Sequence, residues 1–187
     1  MNLPLLTSRL ILRPFEPRDA AAFAQYRSDP EVARYQSWNT PYSLEQARRF
    51  IEALAVTQPG TPGEWFQVAI QRKDDGALLG DCAFTILAEN LRQAEIGFTL
   101  ARAYQGQGYG TEAVRRLLDY LLGELGLHRV RANCDPQNTS SARLLQRLGF
   151  RHEGRWVESL WFKGRWASED WYALLRREWE TGQVSGH

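Results

Sequence analysis

A glycine-rich segment near the middle of the chain is the stretch best suited to chemistry. It runs from Gln105 to Gly110 and reads Gln-Gly-Gln-Gly-Tyr-Gly, at the start of a run with helical periodicity. Glycines let the backbone approach a ligand closely, and the first turn of a helix presents unpaired N–H groups at its positive end. Phosphate groups bind well to that combination. The segment therefore predicts a phosphate-binding loop.

Two other nucleotide-binding patterns are also rich in glycine. No Gly-Lys-Ser/Thr follows the loop, which excludes a Walker A phosphate loop. The segment from Gly108 to Ala113 does fit the dinucleotide pattern G-x-G-x-x-A, with Asp135 a little beyond the usual acidic position. That fold places its loop after the first strand, whereas four predicted strands precede this one. A dinucleotide-binding oxidoreductase and a plain structural turn stay open as alternatives.

The elements that must position the loop follow from hydrophobic periodicity. Runs with strand character cover residues 9–14, 65–72, 78–87, 94–100, 130–134, 152–161 and 166–175. Helical patterns cover residues 16–27, 44–56, 108–122 and 138–148, with Ser43 and Asn138 as predicted N-caps. A strand, helices, a meander of three strands and then alternating strands and helices predict an α/β fold with a mixed sheet.

Composition limits the class of protein. The 187 residues are 43% hydrophobic and 24% charged, with 23 Lys and Arg against 22 Asp and Glu. This is ordinary globular composition, and the even charge balance gives no reason to expect nucleic acid or an anionic membrane as the partner. No run approaches the roughly 20 apolar residues of a membrane helix, and no export signal is visible. We therefore expect a cytoplasmic protein, either a monomer or a homodimer.

The cysteines and histidines form no pattern typical of catalysis or metal binding. Cys82 and Cys134 lie in predicted buried strands, and no CxxC or Cys/His cluster is present. We expect both to be reduced core thiols and expect no metal. A catalytic cysteine would need a histidine and a third orienting group, and His128 and His152 are predicted to be structural.

Taken together, the loop and the order of elements resemble the GNAT superfamily of N-acetyltransferases. The loop of that family is Q/R-x-x-G-x-G/A, which Gln105, Gly108 and Gly110 match. Three further stretches are similar to the branch that acetylates the N-terminal alanine or serine of ribosomal proteins, at residues 6–13, 94–98 and 134–150. The resemblance covers about residues 6–178. It implies one N-acetyltransferase domain over residues 1–187, with a mostly antiparallel sheet of about six to seven strands, flanked by helices, and acetyl-CoA as co-substrate.

The resemblance assigns the co-substrate to two parts of the chain. The pyrophosphate is expected on the loop, which consists of Gln105, Gly106, Gln107, Gly108, Tyr109, Gly110 and Thr111. In the family the strand before the loop separates from its neighbour, and the pantetheine arm of CoA pairs with it. Here that role falls to the backbone of Phe98, Thr99 and Leu100, with Asn138 as a further donor. An N–H in the same stretch is expected to stabilise the thioester oxygen as it gains charge.

Acetyl transfer to an amine also requires proton transfers. An α-amino group titrates near about 8 and a lysine near about 10.4, so a base must remove a proton before attack. Glu95, on the strand expected to hold the thioester, is the predicted base, with a water relay or a purely ion-paired Glu95 as alternatives. Many members of the family protonate the leaving thiolate with a tyrosine, which is absent here. In the similar branch a serine takes that role, and Ser141 occupies its place.

The acceptor pocket of the family is built from the early helices and the last hairpin. Here the resemblance assigns Tyr35, Trp38 and Trp161 to it, an aromatic and weakly charged set. An aminoglycoside or polyamine would need a cluster of carboxylates, so we expect a protein N-terminus as the acceptor. A small-molecule amine as acceptor stays open as an alternative, and so does a non-catalytic regulator that binds acyl-CoA.

Overall fold

An eight-stranded sheet organises the computed structural model, which describes residues 3–184. Its strands are β1 (Leu5–Leu6), β2 (Leu10–Arg13), β3 (Phe66–Arg72), β4 (Leu78–Leu87), β5 (Asn90–Leu100), β6 (Arg129–Cys134), β7 (Arg151–Phe162) and β8 (Arg165–Leu175). Their order is β1-β2-β3-β4-β5-β6-β8-β7, and only β5 and β6 run parallel. The α/β class and the mixed, mostly antiparallel sheet are confirmed. The count exceeds the expected six to seven because Leu5–Leu6, too short to show a period, pairs with β2.

Residues 3–184 also contain six α-helices. They are α1 (Ala20–Arg27), α2 (Pro30–Ala33), α3 (Leu44–Ala55), α4 (Tyr109–Leu118), α5 (Thr139–Arg147) and α6 (Arg176–Val184). Ser43 caps α3 in a reciprocal capping box with Gln46, and the Asn138 side chain accepts a hydrogen bond from the Ser141 N–H at the start of α5. Both predicted N-caps are therefore confirmed. The end of α4 continues as a π-helical segment, Asp119–Glu124, rather than as regular α-helix.

Two apolar cores lie on opposite faces of the sheet. Phe84 of β4 packs with Leu117 of α4 in the larger core, and neither side chain is exposed. The smaller core lies under α1 and α3, where Phe23 and Ile51 pack. A fully buried side chain of this kind contributes roughly 1.5–3 kcal/mol, so both faces hold their helices firmly on the sheet. The sheet is thus a fixed frame between two helical layers.

The parallel pair at the centre of the sheet separates after three residues. Gln93, Ala94 and Glu95 of β5 pair with residues 129–131 of β6. Beyond that point β5 continues to Leu100 beside β4, and β6 continues to Cys134 beside β8, without pairing with each other. The structure therefore has the separation that the resemblance predicts. The side of β5 that faces the gap is free to pair with an extended ligand.

The β7–β8 hairpin closes over the same region. Lys163 at its turn donates from Nζ to the Ala33 carbonyl at the end of α2, 2.8 Å away. Arg165 forms an ion pair with Asp135 at 3.4 Å, in the turn after β6. These contacts tie the tip of the hairpin to elements on both sides of the gap and enclose the space between them.

Candidate active site

A cavity of about 580 Å³ lies where β5 and β6 separate. Helices α1 and α3 and the segment that follows α2 form one side of it. The other walls are the strands β3 to β6, the start of α5 and the β7–β8 hairpin. Seven of the residues predicted for the site line it: Glu95, Ser141, Phe98, Thr99, Asn138, Tyr35 and Trp38. The cavity therefore brings together residues that are far apart in the sequence. Their predicted roles are donor binding, acceptor binding and proton transfer.

The floor of the cavity is formed by two neighbouring strands. Asp81 of β4 lies opposite Thr99 of β5, and Ala83 lies opposite Gly97. Since alternate residues of a strand face the same side, these four residues share one face of the sheet. The Ala83–Gly97 pair carries almost no side chain and leaves a bare patch between the larger residues. A ligand can therefore reach the backbone of β5 at this point.

One polar atom beside this patch has no partner. Gln67 of β3 lies opposite Ala83 and lines the cavity. Its Oε1 is buried, and no donor reaches it among residues 3–184. Buried polar atoms are nearly always hydrogen-bonded, so an unpaired acceptor next to the patch favours a ligand that brings an N–H group.

Glu95 stands at the point where the two strands part. Its Oε2 accepts a hydrogen bond from the Arg131 Nε, 2.9 Å away in the opposite strand. The side chain is 17% exposed, so solvent screens the pair only in part. The Glu95 carboxylate therefore lines the cavity and belongs to an ion pair, and its role as the base stays a prediction.

The predicted phosphate loop lies outside the cavity, at the start of α4. Gly106 and Gly108 have φ angles of 75° and 82°, which a glycine adopts at no steric cost, and Gly108 is the N-cap of α4. Gln105 donates its side-chain amide to the Leu100 carbonyl at 3.0 Å, and Gln107 donates to the Ala103 carbonyl at 2.9 Å. Both side chains fold back onto the preceding segment, so they leave the backbone N–H groups of the turn open to an anion.

Three loop residues at the start of α4 contact neighbouring elements. A Cβ on Gly110 would lie 3.0 Å from Leu144 Cδ1 and 3.1 Å from Leu100 Cδ1, so glycine allows α4 to approach β5 and α5 closely. Tyr109 is buried, and the Arg9 guanidinium lies 4.4 Å from its ring centroid. Thr111 accepts a hydrogen bond from Arg147 of α5 at 3.2 Å.

The N-terminal segment is fastened to the same helix through Glu112. The Glu112 carboxylate accepts hydrogen bonds from Thr7 Oγ1 at 2.5 Å, Ser8 Oγ at 3.0 Å and the Arg9 N–H at 2.9 Å. Arg9 Nε adds a contact of 2.7 Å, and Arg9 Nη1 donates to the Gln107 carbonyl. Burial favours the neutral carboxyl, but these donors outweigh it and hold the pKa of Glu112 below its usual range. We call Thr7, Ser8, Arg9 and Glu112 the N-terminal latch.

Comparison with known proteins decides the family. The family described as "Acetyltransferase (GNAT) domain" matches residues 9–151. The chain belongs to the GNAT acetyltransferase family. The N-acetyltransferase p20 of Bacillus licheniformis is 35% identical over 175 residues, covering 94% of this chain and 97% of the relative. The [ribosomal protein uS5]-alanine N-acetyltransferase of Escherichia coli is 28% identical over 193 residues, covering 97% of both chains.

Solved structures agree on the fold. An acetyltransferase of the GNAT family from Bacillus anthracis superposes with a TM-score of 0.83 at 29% identity, covering 94% of this chain and 100% of that one. GNAT acetyltransferases use acetyl-CoA as co-substrate, so this chain is an acetyl-CoA-dependent N-acetyltransferase. Within residues 3–184 no helix is long and apolar enough to cross a membrane, and no group of His, Cys, Asp or Glu is arranged to hold a metal ion.

Among the described residues, one cysteine lines the cavity. Cys134, at the end of β6, lines the cavity, and burial raises the pKa of its thiol to about 12. The thiolate is the reactive form, so at neutral pH this cysteine is a poor nucleophile. Burial raises the pKa of Cys82 further still, on the opposite face of β4. Neither thiol favours a covalent acetyl-enzyme route.

The structure corrects two expectations about the acceptor side. Trp161 does not line the cavity, because strand alternation turns Leu160 and Phe162 inward and leaves Trp161 60% exposed, edge-on to Trp166. The pocket is also not weakly charged: four carboxylates line it, belonging to Asp81, Glu95, Asp135 and Glu169. Arg27 is the one arginine or lysine of the described chain that lines the cavity.

Sequence reasoning missed Asp81, Gln67, Arg27 and Glu169 as site residues. Asp81 and Gln67 lie in strands that were identified correctly, but nothing local distinguishes an inward carboxylate or amide from an ordinary strand residue. A usable signal did exist for Asp81. It lies between Gly80 and Cys82 in an apolar run, and a buried carboxylate is costly unless it is paired or hydrogen-bonded.

Proposed function

We propose that the protein transfers acetyl directly to a primary amine while acetyl-CoA and the amine are bound together, and that the acceptor is a protein N-terminus. One observation carries the proposal. A single cavity joins the open side of β5 to a bare floor patch that is flanked by carboxylates and by the unpaired Gln67 Oε1. A thioester and an amine can therefore meet there without an enzyme-bound intermediate, which agrees with the high pKa of the Cys134 thiol.

The donor is held by backbone groups in this proposal. The backbone N–H groups from Gln107 to Thr111 take the pyrophosphate, and the free side of β5 at Phe98, Thr99 and Leu100 pairs with the pantetheine arm. Asn138 serves as a further donor at the start of α5. An N–H of β5 near the patch then faces the thioester oxygen, where a preorganised donor stabilises the developing charge.

The leaving thiolate is protonated by Ser141. It lies in the first turn of α5 and lines the cavity across the gap from β5. The amine proton is taken by one of the cavity carboxylates, for which Glu95 is the candidate named by the sequence. Tyr35 and Trp38 provide aromatic walls on the side from which the acceptor enters.

Two observations support a peptide acceptor. The Escherichia coli relative is named for acetylation of the alanine of ribosomal protein uS5, and the carboxylates favour a positively charged group such as an α-ammonium. The same carboxylates favour a polyamine as a second candidate, because a polyamine is a cation and the cavity is more acidic than the sequence predicted.

The test is the acetyl-dependent release of free CoA thiol. The enzyme is incubated with acetyl-CoA and, in parallel, with peptides that begin with alanine or serine, the same peptides with a blocked N-terminus, and a polyamine. The proposal expects release with free N-termini only. Release with the polyamine alone would assign the second candidate, and binding of acetyl-CoA without release by any amine would indicate a non-catalytic regulator.

A further inference from the structure

Asp81 is the most deeply buried carboxylate of the cavity. Its residue is 3% exposed, and it lines the cavity from β4, directly beside the strand proposed to hold the thioester. Opposite residues of an antiparallel pair have Cβ atoms about 4.5–5.5 Å apart, so the Asp81 side chain stands next to Thr99. The bare Ala83–Gly97 patch is one step along the same face. A ligand amine on that patch is within reach of Asp81.

The hydrogen bonds around Asp81 leave one oxygen for a ligand. Tyr26 of α1 donates its hydroxyl to Asp81 Oδ1 at 2.6 Å. Within residues 3–184 no hydrogen bond to Oδ2 is found, and no lysine, arginine or histidine nitrogen lies within 4.0 Å of the carboxylate. Tyr26 therefore orients the carboxylate, and the other oxygen is left to accept a proton.

Arg27, the one cation that lines the cavity within residues 3–184, packs against aromatic rings and forms no ion pair with Asp81. The Arg27 guanidinium lies 4.1 Å from the ring centroid of Phe23, 4.0 Å from that of Trp38 and 4.7 Å from that of Phe50. Its influence on Asp81 is through charge rather than through an ion pair. This arrangement differs from that of Glu95, whose Oε2 is in a direct ion pair with Arg131.

Burial sets the proton affinity of this carboxylate. Desolvation raises the pKa of Asp81 above its usual range, although the Arg27 charge and the Tyr26 hydrogen bond each lower it in part. The other titratable groups around it are Tyr26, which donates to it, and the groups that line the same cavity, namely Glu95, Cys134, Asp135 and Glu169. A general base works best when its pKa approaches the working pH, so the environment of Asp81 suits this role.

We propose that Asp81 accepts the proton that the acceptor ammonium loses before it attacks the thioester. This inference rests on the proposed function. The ammonium N–H bond breaks and its proton passes to Asp81 Oδ2, which later releases it to solvent. The neutral nitrogen forms a bond with the thioester carbon, the C–S bond breaks, and the second amine proton reaches the sulfur by way of Ser141. The products are the acetamide, CoA thiol and one proton.

The pH dependence of turnover tests this assignment. In the wild type, kcat/KM for a peptide amine should rise through the pKa of Asp81 and then stay level up to the amine pKa of about 8. In Asp81→Asn the rate should instead follow the fraction of free amine, increasing about tenfold per pH unit up to the same point. We expect a loss of about 100-fold or more well below the amine pKa. The loss should shrink as the pH approaches 8 and with a weakly basic amine that is already neutral.

Three comparison variants make the result specific. Glu95→Gln should keep the level region of the profile, and Asp74→Asn, the same change on the exposed turn before β4, should match the wild type. Tyr26→Phe removes a hydrogen bond that favours the charged carboxylate, so it should move the rising limb to higher pH. The rise in unfolding midpoint on adding acetyl-CoA should be the same in all of them.

The outcomes separate this inference from the proposed function. Absence of amine-dependent thiol release by the wild type would overturn the proposed function itself. If the wild type is active, two results would overturn the role of Asp81. One is a pH profile of kcat/KM that keeps its level region in Asp81→Asn, and the other is a level region that is lost in Glu95→Gln instead. If Asp81→Asn does not fold, Tyr26→Phe decides, because an unmoved limb would then reject the assignment.

Discussion

Among single residues, Ser141 and Cys134 line the same cavity but differ in how well each is suited to catalysis. Cys134 is protonated at neutral pH because burial raises its thiol pKa to about 12. Ser141 lies in the first turn of α5, at the positive end of the helix dipole. A serine in that position is suited to protonating a thiolate, whereas the cysteine is suited only to packing.

We predict that Ser141→Ala lowers kcat by about 100-fold or more, because a positioned acid contributes about 10²–10⁴. Acetyl-CoA binding should be almost unchanged, since the proposal assigns the donor to the loop and β5. Steady-state kinetics with a peptide amine and the unfolding midpoint with acetyl-CoA measure the two quantities. An unchanged kcat would remove Ser141 from the mechanism.

Gly80 is a residue whose lack of a side chain determines how two strands pair. A Cβ at this position would lie 2.0 Å from the Thr99 carbonyl oxygen in β5, which is backbone and cannot rotate away. We predict that Gly80→Ala lowers the free energy of unfolding by about 3 kcal/mol, the upper end of the usual cost of overpacking. Chemical denaturation measures the loss, and Gly123→Ala is the control, because a Cβ there meets nothing within 4 Å. Equal stability of the two variants would contradict the prediction.

Among the elements, the N-terminal latch connects the segment that leads into β2 to the helix that follows the predicted phosphate loop. Glu112 accepts hydrogen bonds from Thr7, Ser8 and Arg9, and Arg9 also donates one to the Gln107 carbonyl. The loop is therefore supported from outside by a segment about 100 positions earlier in the chain. Such support keeps the N–H groups of the loop in place before the ligand arrives, which lowers the cost of binding.

We predict that Glu112→Gln lowers the free energy of unfolding by about 1.5–3 kcal/mol at pH 7, the range for hydrogen bonds to charged groups. The pKa of Glu112 is depressed in the folded state, so its contribution is present above the unfolded carboxyl pKa and is lost as the pH falls through the folded value. The difference between variant and wild type should therefore shrink below about pH 4. Denaturation at a series of pH values measures it, and a difference that is constant with pH would contradict the latch.

For the whole molecule, the cavity depends on the sheet and the hairpin together. The separated β5–β6 pair opens it from one side, and the hairpin contacts at Lys163 and Arg165 close it from the other. Neither half is a site alone. A ligand that fills the gap should therefore stabilise the entire fold rather than one loop.

We predict that acetyl-CoA and free CoA both raise the thermal unfolding midpoint, whereas NADH does not. A ligand that binds only the folded state at 100 times its dissociation constant adds about 2.7 kcal/mol to stability. Scanning the protein with each ligand in parallel measures the effect. A rise with NADH and none with CoA would restore the dinucleotide interpretation of Gly108 to Ala113.

Much of the fold was readable from the sequence because its signals are local. The caps at Ser43 and Asn138 depend on residues three positions away, and the strand and helix periods depend on neighbours two to four positions apart. The element order and the loop could be predicted for the same reason. The two-residue β1 and the π-helical end of α4 could not, since neither has a period of its own.

The sequence by itself determined the family, the α/β order and a glycine loop at the start of a helix, because each is written in contiguous residues. Only the tertiary structure decided what faces the cavity. It turned Trp161 outward, paired Glu95 with Arg131, and brought Asp81 and Gln67 to the bare patch. The physical reason is register: a shift of one residue reverses the face of every side chain in a strand, and register is set by pairing between segments distant in the chain.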